Sequence, residues 1–201
     1  MHALPLDSFI AIMIAYLFGS ISSAIVVCKI MRLPDPRTQG SRNPGATNVL
    51  RIGGKKAAII TLIGDVLKGV IPVLAAKFYG FAPLSLSLIT FAAFFGHLYP
   101  IFFRFEGGKG VATAGGCIMA LAWPVGVALL VTWLLVAMVF RYSSLAALIA
   151  ALAAPCYAWY FTNYDYTIMA CAISALLIYR HKKNIQNLLA GKEDKIGKKK
   201  S

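Results

Sequence analysis

The first long apolar stretch, FIAIMIAYLFGSISSAIVVCKI (residues 9–30), decides the class of fold. It carries no charge before Lys29, and it is long enough for a helix to cross the hydrocarbon core of a bilayer, which takes about 20 residues. No lysine or arginine precedes it, and it is longer than the apolar core of a secretory signal peptide. We therefore predict a retained membrane-spanning helix and not a cleaved signal.

The composition of the whole chain supports the same class. Of 201 residues, 59% are hydrophobic and 13% are charged, whereas a soluble domain carries about a quarter charged residues. Four cysteines stand singly in apolar segments without a C-x-x-C pair, which predicts neither a disulfide framework nor a zinc site. We predict an all-α, polytopic integral membrane protein with one transmembrane domain over residues 1–201 and a short basic tail from about residue 192.

The apolar runs after the first one set the number of predicted spans. Two of these runs, the third and the fourth of the chain, are short. Local thinning of the bilayer or partial insertion accommodates short spans, so the expected count lies between five and seven, and seven fits best. The seven candidate spans cover roughly residues 8–30, 57–78, 84–98, 111–122, 124–140, 144–162 and 165–180.

The basic residues predict the orientation of these spans. Lysines and arginines cluster in the first, third and fifth loops and in the tail, whereas the opposite side has only Lys77. Basic loops stay in the cytoplasm, so we predict an N-terminus outside and a C-terminus inside, which agrees with an odd number of spans. The loop residues are Lys29, Arg32, Arg37, Arg42, Arg51, Lys55, Lys56, Arg104, Lys109 and Arg141.

The first predicted cytoplasmic loop contains the polar stretch GSRNPGATNVLR (residues 40–51). Its glycines permit unusual backbone angles, and consecutive N–H groups turned inward by such a loop form a nest that binds an anion. The planar guanidinium of Arg51 is suited to bidentate contact with a phosphate. The alternative interpretation is an ordinary loop rich in turn-forming residues.

The second unusual stretch, EGGKGVAT (residues 106–113), interrupts an apolar region with three glycines and a lysine. It is not a Walker loop, because Phe103 stands six residues before Lys109 and Gly110 follows it. An apolar helix is predicted to begin at Val111, so the glycines lie at a helix N-terminus, where free N–H groups favour anions. A simple turn at the membrane surface is the alternative.

Several further polar residues remain open at this point. His181 and Asn184, in YRHKKNIQNLL (residues 179–189), share a face of a predicted tail helix. Asp65 and Lys68 stand three residues apart within the second span, where ionisable groups are costly and usually paired, so an internal salt bridge is favoured over direct catalysis. His97 is as consistent with a structural role as with a functional one.

Three segments, taken in order, carry a resemblance to a known family. GSRNPGATNVLR, GHLYPIFFRFEGGKGVAT and RHKKNIQNLLAGKE resemble the signature motifs of the bacterial acyl-phosphate:glycerol-3-phosphate acyltransferases, the PlsY family. The likeness covers nearly the whole chain in length, span layout and motif order. Two positions depart from the family pattern: Arg42 replaces a usual glycine, and Glu106 replaces a common lysine and lowers the local positive potential.

This resemblance implies a reaction and a location. The family transfers a fatty acyl group from acyl phosphate to the sn-1 hydroxyl of glycerol 3-phosphate, which gives lysophosphatidic acid and phosphate in the first step of phospholipid synthesis. It implies an active site on the cytoplasmic face of the bacterial inner membrane, membrane lipids as surroundings, and no cofactor, metal or nucleic acid. The rival hypotheses are a transporter for a phosphorylated metabolite and a non-catalytic lipid-binding scaffold.

The resemblance also implies roles for individual residues, with Arg51, Lys109 and His181 as the catalytic group. The backbone of the glycine stretch is expected to cradle the acyl phosphate, supported by Thr47 and Asn48. The proton of the acceptor hydroxyl is expected to pass either to His181 or to a substrate phosphate. The residues expected to line the glycerol 3-phosphate pocket are Ser41, Arg51, Lys109, Ser144, His181 and Asn184, and those expected to cradle the donor are Gly107, Gly108, Gly110 and Val111.

Overall fold

The computed structural model describes residues 4–197, and over this range every regular element is helical, which confirms the predicted all-α class. A short 3₁₀ turn (Ile101–Phe103) lies between the fourth and fifth α-helices. The α-helices are α1 (Leu6–Gly19), α2 (Ser23–Ile30), α3 (Ala46–Tyr79), α4 (Pro83–Leu98), α5 (Val111–Leu121), α6 (Trp123–Phe140), α7 (Ser143–Phe161), α8 (Tyr164–Arg180) and α9 (Lys182–Leu189).

The chain divides into two compact units after Leu121. The first unit contains α1 to α5 with the 3₁₀ turn, and the second contains α6 to α9. The boundary falls where α5 ends and a single non-helical residue, Ala122, precedes the Trp-Pro start of α6.

Within residues 4–197, four stretches of helix are long and apolar enough to cross a membrane: 46–79, 83–103, 123–140 and 143–161. The pair α1 and α2, bent by 41°, raises this number to five if it acts as one broken span. At 1.5 Å per residue, the 11-residue helix α5 reaches only about half of a hydrocarbon core of about 30 Å. The prediction of an integral membrane protein agrees with these helices, whereas the count of seven spans stays a prediction.

The first predicted span consists of two helices, α1 and α2, with a break at residues 20–22. The helix ends at Gly19 and restarts at Ser23, and Ser22 has an extended backbone. The hydroxyl of Ser20 donates to the carbonyl oxygen of Tyr16 at 2.8 Å. Serine hydroxyls compete with helical hydrogen bonds in this way, which explains a break at the serine-rich part of the run.

Helix α3 begins at Ala46, well before the predicted span at residue 57. Thr47, Asn48 and Arg51 are therefore helical and do not lie in the loop that we predicted. The helix is kinked at Gly54, whose φ of 76° lies in the left-handed region that glycine adopts without strain. The first polar motif consequently consists of a loop followed by a helical turn.

Glycines allow the helices of the first unit to pack closely. A Cβ atom on Gly69 of α3 would overlap the carbonyl oxygen of Thr113, and one on Gly116 of α5 would overlap that of Val66. Such small residues let helix backbones approach each other, as is common in membrane proteins. Lys77 then donates to the carbonyl oxygens of Ala120 and Leu121, at 3.1 and 3.0 Å, and satisfies the C-terminal end of α5. These contacts hold α5 against α3 along most of its length.

In the second unit, α7 packs against α6, α8 and α9. The segment after α9 returns to the corner between α6 and α7, where Ile196 N donates to Arg141 O at 2.7 Å. The Arg141 guanidinium donates in turn to Ile196 O at 3.2 Å. The predicted basic tail from about residue 192 is thus attached to the unit as far as Ile196, and residues 198–201 lie outside the described range.

Candidate active site

Asn48 organises the loop of the first motif. Its side chain is 1% exposed, and its Nδ2 donates to the carbonyl oxygens of Pro36 and Gln39 at 2.8 and 3.0 Å. Its Oδ1 accepts a hydrogen bond from the backbone N–H of Ser41 at 2.9 Å. Gly40 has a φ of 61°, and a Cβ atom there would overlap Asn48 Oδ1. The amide of Asn48 is therefore committed to shaping the loop.

The exposed polar residues of this motif lie on or beside the first turns of α3. Ser41 is held through its backbone by Asn48, and its side chain is exposed. Thr47 and Arg51, both exposed, are four residues apart in the helix and so share one face. A hydroxyl group and a guanidinium are thus presented side by side.

The glycines of the second motif lie against the end of α4. Gly107 and Gly108 are buried, and Gly108 N donates to His97 O at 3.2 Å. A Cβ atom on Gly107 would overlap the carbonyl oxygens of His97 and Leu98, and one on Gly108 would overlap His97 Nε2 and Pro44 O. These two glycines are needed first for packing against the protein itself. Their predicted role in cradling the acyl phosphate with the backbone stays a prediction beside this packing role.

The predicted helix start after the glycines is confirmed, because α5 begins at Val111. Gly110, with a φ of 86°, precedes it and accepts the first backbone hydrogen bond, from Ala114 N at 2.7 Å. The N–H groups of a first helical turn lack partners within their own helix. Lys109 stands half-buried beside this turn. A lysine next to a helix N-terminus is a suitable arrangement for an anionic group.

The two motif loops of the first unit are joined by Arg37. Its guanidinium contacts Glu106 Oε2 at 3.0 Å and Asp35 Oδ2 at 2.7 Å. Hydrogen bonding from Arg37 lowers the pKa of the Asp35 carboxyl below its ordinary value. The negative charge of Glu106 is therefore opposed by a neighbouring cation. Arg37 thus connects the loop before α3 to the loop before α5.

The predicted salt bridge inside α3 is confirmed. Asp65 Oδ1 lies 2.9 Å from Lys68 Nζ, and both side chains are buried. The same oxygen lies 3.6 Å from Nδ1 of His97, which also has a hydrogen-bonding distance of 3.2 Å to Thr113 Oγ1. His97 is buried in this cluster and thus has at least a structural role.

In the second unit, His181 caps the end of α8 and is 2% exposed. Its Nδ1 lies 2.8 Å from the carbonyl oxygen of Leu177. A carbonyl oxygen only accepts, so Nδ1 carries the proton in this hydrogen bond, and Nε2 of the neutral ring keeps its lone pair. The main chain thus fixes both the orientation and the tautomer of a potential base.

Ser144 and Asn184 are brought together by Glu193, a residue that the sequence analysis did not single out. Glu193 Oε1 accepts hydrogen bonds from Ser144 Oγ at 2.6 Å and from Asn184 Nδ2 at 2.7 Å. The available signal was its place at the end of the third motif, as an acid within a basic segment. The carboxylate holds two predicted substrate-binding side chains in fixed positions.

The predicted residues are distributed over the two units. The first unit contains Ser41, Thr47, Asn48, Arg51, Gly107, Gly108, Lys109, Gly110 and Val111, and the second contains Ser144, His181 and Asn184. Within the first unit, the two loops meet where Gly108 approaches Pro44 and where Arg37 contacts Glu106. Within the second, Glu193 links α7 to α9.

Comparison with known proteins gives consistent matches over almost the whole chain. The sequence profile of the family described as glycerol-3-phosphate acyltransferase matches residues 9–191. A glycerol-3-phosphate acyltransferase of Methylococcus capsulatus is 55% identical over 186 residues, covering 92% of this chain and 94% of the relative. One from Vibrio campbellii is 53% identical over 193 residues, covering 96% and 95%.

Two crystal structures of PlsY, an integral membrane glycerol 3-phosphate acyltransferase, resemble the structure of this chain closely. The glycerol 3-phosphate form is 40% identical with a TM-score of 0.89, and the lysophosphatidic acid form is 39% identical with a TM-score of 0.86. Each likeness covers 95% of this chain and 96% of the PlsY chain. With the profile match and these relatives, the chain belongs to the glycerol-3-phosphate acyltransferase family.

Proposed function

We propose that this membrane acyltransferase moves a fatty acyl group from acyl phosphate to the sn-1 hydroxyl of glycerol 3-phosphate. The products are lysophosphatidic acid and inorganic phosphate, and the reaction opens phospholipid synthesis. Membership of the family makes the chain an enzyme that acylates glycerol 3-phosphate. The strongest single support is the likeness to PlsY structures in a glycerol 3-phosphate form and a lysophosphatidic acid form. The acyl phosphate donor is the proposed part.

The chemistry needs few special groups. The sn-1 oxygen attacks the carbonyl carbon of the acyl phosphate, the bond from that carbon to the bridging oxygen breaks, and phosphate leaves with the electron pair. An acyl phosphate is a mixed anhydride with a good leaving group, so no covalent acyl-enzyme is required. Positioning of the reactants and stabilisation of developing negative charge then supply the rate enhancement.

In the first unit, we assign the cations and the helix N-terminus to the phosphate groups. Arg51 offers a planar fork of donors and Lys109 a compact ammonium, which suit two phosphorylated substrates. The first-turn N–H groups from Val111 onward suit the acyl phosphate. Ser41 and Thr47 supply exposed hydroxyl groups. Asn48 acts on the substrates only through the loop that it shapes, and Gly107 and Gly108 act through the position of their backbone.

In the second unit, we assign His181 to the acceptor hydroxyl. Its Nε2 has the lone pair that a general base needs, because Nδ1 is engaged by Leu177 O. A substrate phosphate, with a second pKa near 6, is an alternative acceptor of the same proton. Ser144 and Asn184, both held by Glu193, are assigned to hydrogen bonds with glycerol 3-phosphate.

We further propose a bacterial inner-membrane location with seven membrane crossings, an outside N-terminus and a cytoplasmic active-site face. The support is the distribution of lysine and arginine and the five helical stretches of spanning quality when the α1–α2 pair is counted. Helices α5 and α8 then supply the remaining two crossings, α5 with local thinning of the bilayer. One transmembrane domain, without cofactor, metal or nucleic acid, completes the proposal.

The experiment that tests the function uses purified protein in detergent micelles with palmitoyl phosphate and glycerol 3-phosphate. Acyl transfer in micelles is expected, because an acyltransferase needs no sealed compartment. A transporter would be silent in micelles and active only in closed vesicles. A lipid-binding scaffold would be silent in both. Absence of lysophosphatidic acid in the micelle assay would contradict the proposed function.

A further inference from the structure

A buried ionisable cluster of Asp65, Lys68 and His97 lies behind the glycine loop (residues 106–110), and the proposed chemistry does not use it. The three side chains belong to residues that are 2, 4 and 6% exposed. Ionisable groups inside membrane helices are costly, and they usually mark a functional requirement. Pairing offsets only part of the cost of removing charges from water. The cost of burying these charges therefore indicates a role beyond stability for this cluster.

The cluster connects all the helices of the first unit. Lys68 Nζ donates to the carbonyl oxygen of Ile21, at 2.9 Å, in the break between α1 and α2. Asp65 Oδ1 lies 2.9 Å from Lys68 Nζ and 3.6 Å from His97 Nδ1, which joins α3 to α4. Thr113 Oγ1, on α5, lies 3.2 Å from the same nitrogen of His97. The same ring nitrogen of His97, Nδ1, therefore faces both the Thr113 hydroxyl, at hydrogen-bonding distance, and the Asp65 carboxylate, at ion-pair distance.

His97 in turn contacts the glycine loop with its main chain and its ring. Its carbonyl oxygen accepts the hydrogen bond from Gly108 N at 3.2 Å. Its ring packs so closely on Gly108 that a Cβ atom there would overlap Nε2. The orientation of the imidazole therefore limits where the backbone of Gly108 can lie. Lys109 and the start of α5 follow directly in the chain.

We propose that Asp65 and Thr113 are positioning residues that act through His97 to fix the glycine loop for the acyl phosphate. The identity of this ligand rests on the proposed function, whereas the positioning of the loop does not. Lys68 pairs with the Asp65 carboxylate and anchors it to the α1–α2 break. The three groups hold the loop from inside the protein without contacting substrate.

The test compares Thr113→Val with Thr61→Val. Both threonines are 0% exposed and both changes replace a hydroxyl with a methyl group. The Thr113 hydroxyl lies 3.2 Å from His97 Nδ1, whereas the Thr61 hydroxyl has no hydrogen-bond partner among the residues that the structure describes. The first measurement is deuterium exchange of the glycine loop without substrate. The second is KM for palmitoyl phosphate and for glycerol 3-phosphate, together with thermal unfolding.

We expect Thr113→Val to speed exchange at Gly108 and to raise KM for palmitoyl phosphate roughly threefold to tenfold, the effect of one lost hydrogen bond. KM for glycerol 3-phosphate should change less, Thr113→Ser should restore the wild-type values, and Thr61→Val should match the wild type in both measurements. Loop exchange equal to that of Thr61→Val would overturn the proposal. So would faster loop exchange with an unchanged KM for palmitoyl phosphate, or faster exchange spread evenly over the chain.

A second variant covers the charged part of the cluster. Asp65→Asn alone strands the charge of Lys68, so the double change Asp65→Asn with Lys68→Met removes both charges together. We expect this variant to fold and to show the same faster exchange at Gly108, and wild-type exchange would overturn the role of Asp65. If the wild-type enzyme does not use palmitoyl phosphate, the proposed function fails. The exchange comparison still decides the positioning proposal in that case.

Discussion

Glu193 accepts a hydrogen bond from Ser144, with 2.6 Å between Glu193 Oε1 and Ser144 Oγ, although 49 residues separate the two in the chain. The same oxygen accepts from Asn184 Nδ2 at 2.7 Å. One carboxylate at the beginning of the C-terminal segment therefore fixes a serine at the start of α7 and an asparagine on α9. The third motif works as a structural unit that includes its last residue.

Glu193→Ala is expected to lower kcat/KM for glycerol 3-phosphate roughly 10- to 150-fold. A hydrogen bond to a charged group contributes about 1.5–3 kcal/mol, and Ser144 and Asn184 lose their shared acceptor in this variant. Glu193→Gln keeps an accepting oxygen and should retain part of the activity. Lys183→Ala, at an exposed position beside Asn184, is the control. Wild-type kinetics in Glu193→Ala would contradict the role of this carboxylate.

Gly108→Ala is expected to lower both activity and thermal stability. The new Cβ atom would overlap His97 Nε2 and Pro44 O, and inserting atoms into a packed site typically costs about 1–3 kcal/mol. Gly115→Ala is the matched control, because a Cβ atom there meets nothing within 4 Å. Gly115 lies within α5, so this control should gain roughly 0.5–1 kcal/mol. Equal unfolding temperatures for the two variants would show that the close contact at Gly108 is not restrictive.

The sequence predicted the second half of the fold better than the first. Helices α4 to α8 begin and end within one or two residues of their predicted bounds, since local signals such as Pro83, the Trp123–Pro124 pair and Arg141 mark their ends. The break at Ser20–Ser22 has only a weak signal inside a continuous apolar run. The early start of α3 was missed because glycine and asparagine favour loops in a sequence, whereas the buried contacts of Asn48 decide its position here.

Prediction of the candidate site from the sequence is limited in the same way, by contacts that only the fold reveals. The sequence placed the helix N-terminus at Val111 and the Asp65–Lys68 pair correctly, because both depend on spacing along one segment. The roles of Gly108 and Asn48 depend on contacts with residues outside their own segments, which one sequence does not reveal. Glu193 was missed for the same reason, since only the fold shows that a tail carboxylate faces Ser144.

Lys109→Ala is expected to reduce kcat/KM roughly 10- to 150-fold, because a charged hydrogen-bond donor to phosphate contributes about 1.5–3 kcal/mol. Lys109→Arg should rescue only partly, since a planar guanidinium does not replace a compact ammonium. Lys55→Ala, an exposed cation on α3, is the control for a general loss of positive charge. A well-folded Lys109→Ala enzyme with near-normal kcat/KM would mean that the glycines and the lysine form only a turn.

The proposed topology predicts opposite locations for the two ends of the chain. A reporter fused after Ser201 should be cytoplasmic, and one fused before Met1 should be outside, because the basic segments remain in the cytoplasm. Activity of each fusion in micelles is the control for correct folding. Both reporters on one side of the membrane would contradict an odd number of crossings.

The identity of the acyl donor tests the account most directly. Purified enzyme in micelles is mixed with glycerol 3-phosphate and either palmitoyl phosphate or palmitoyl-CoA, and lysophosphatidic acid and released phosphate are both quantified. We predict equal molar amounts of the two products with palmitoyl phosphate and no lysophosphatidic acid with the thioester. Comparable rates with palmitoyl-CoA, or phosphate release without lysophosphatidic acid, would contradict transfer from acyl phosphate to glycerol 3-phosphate.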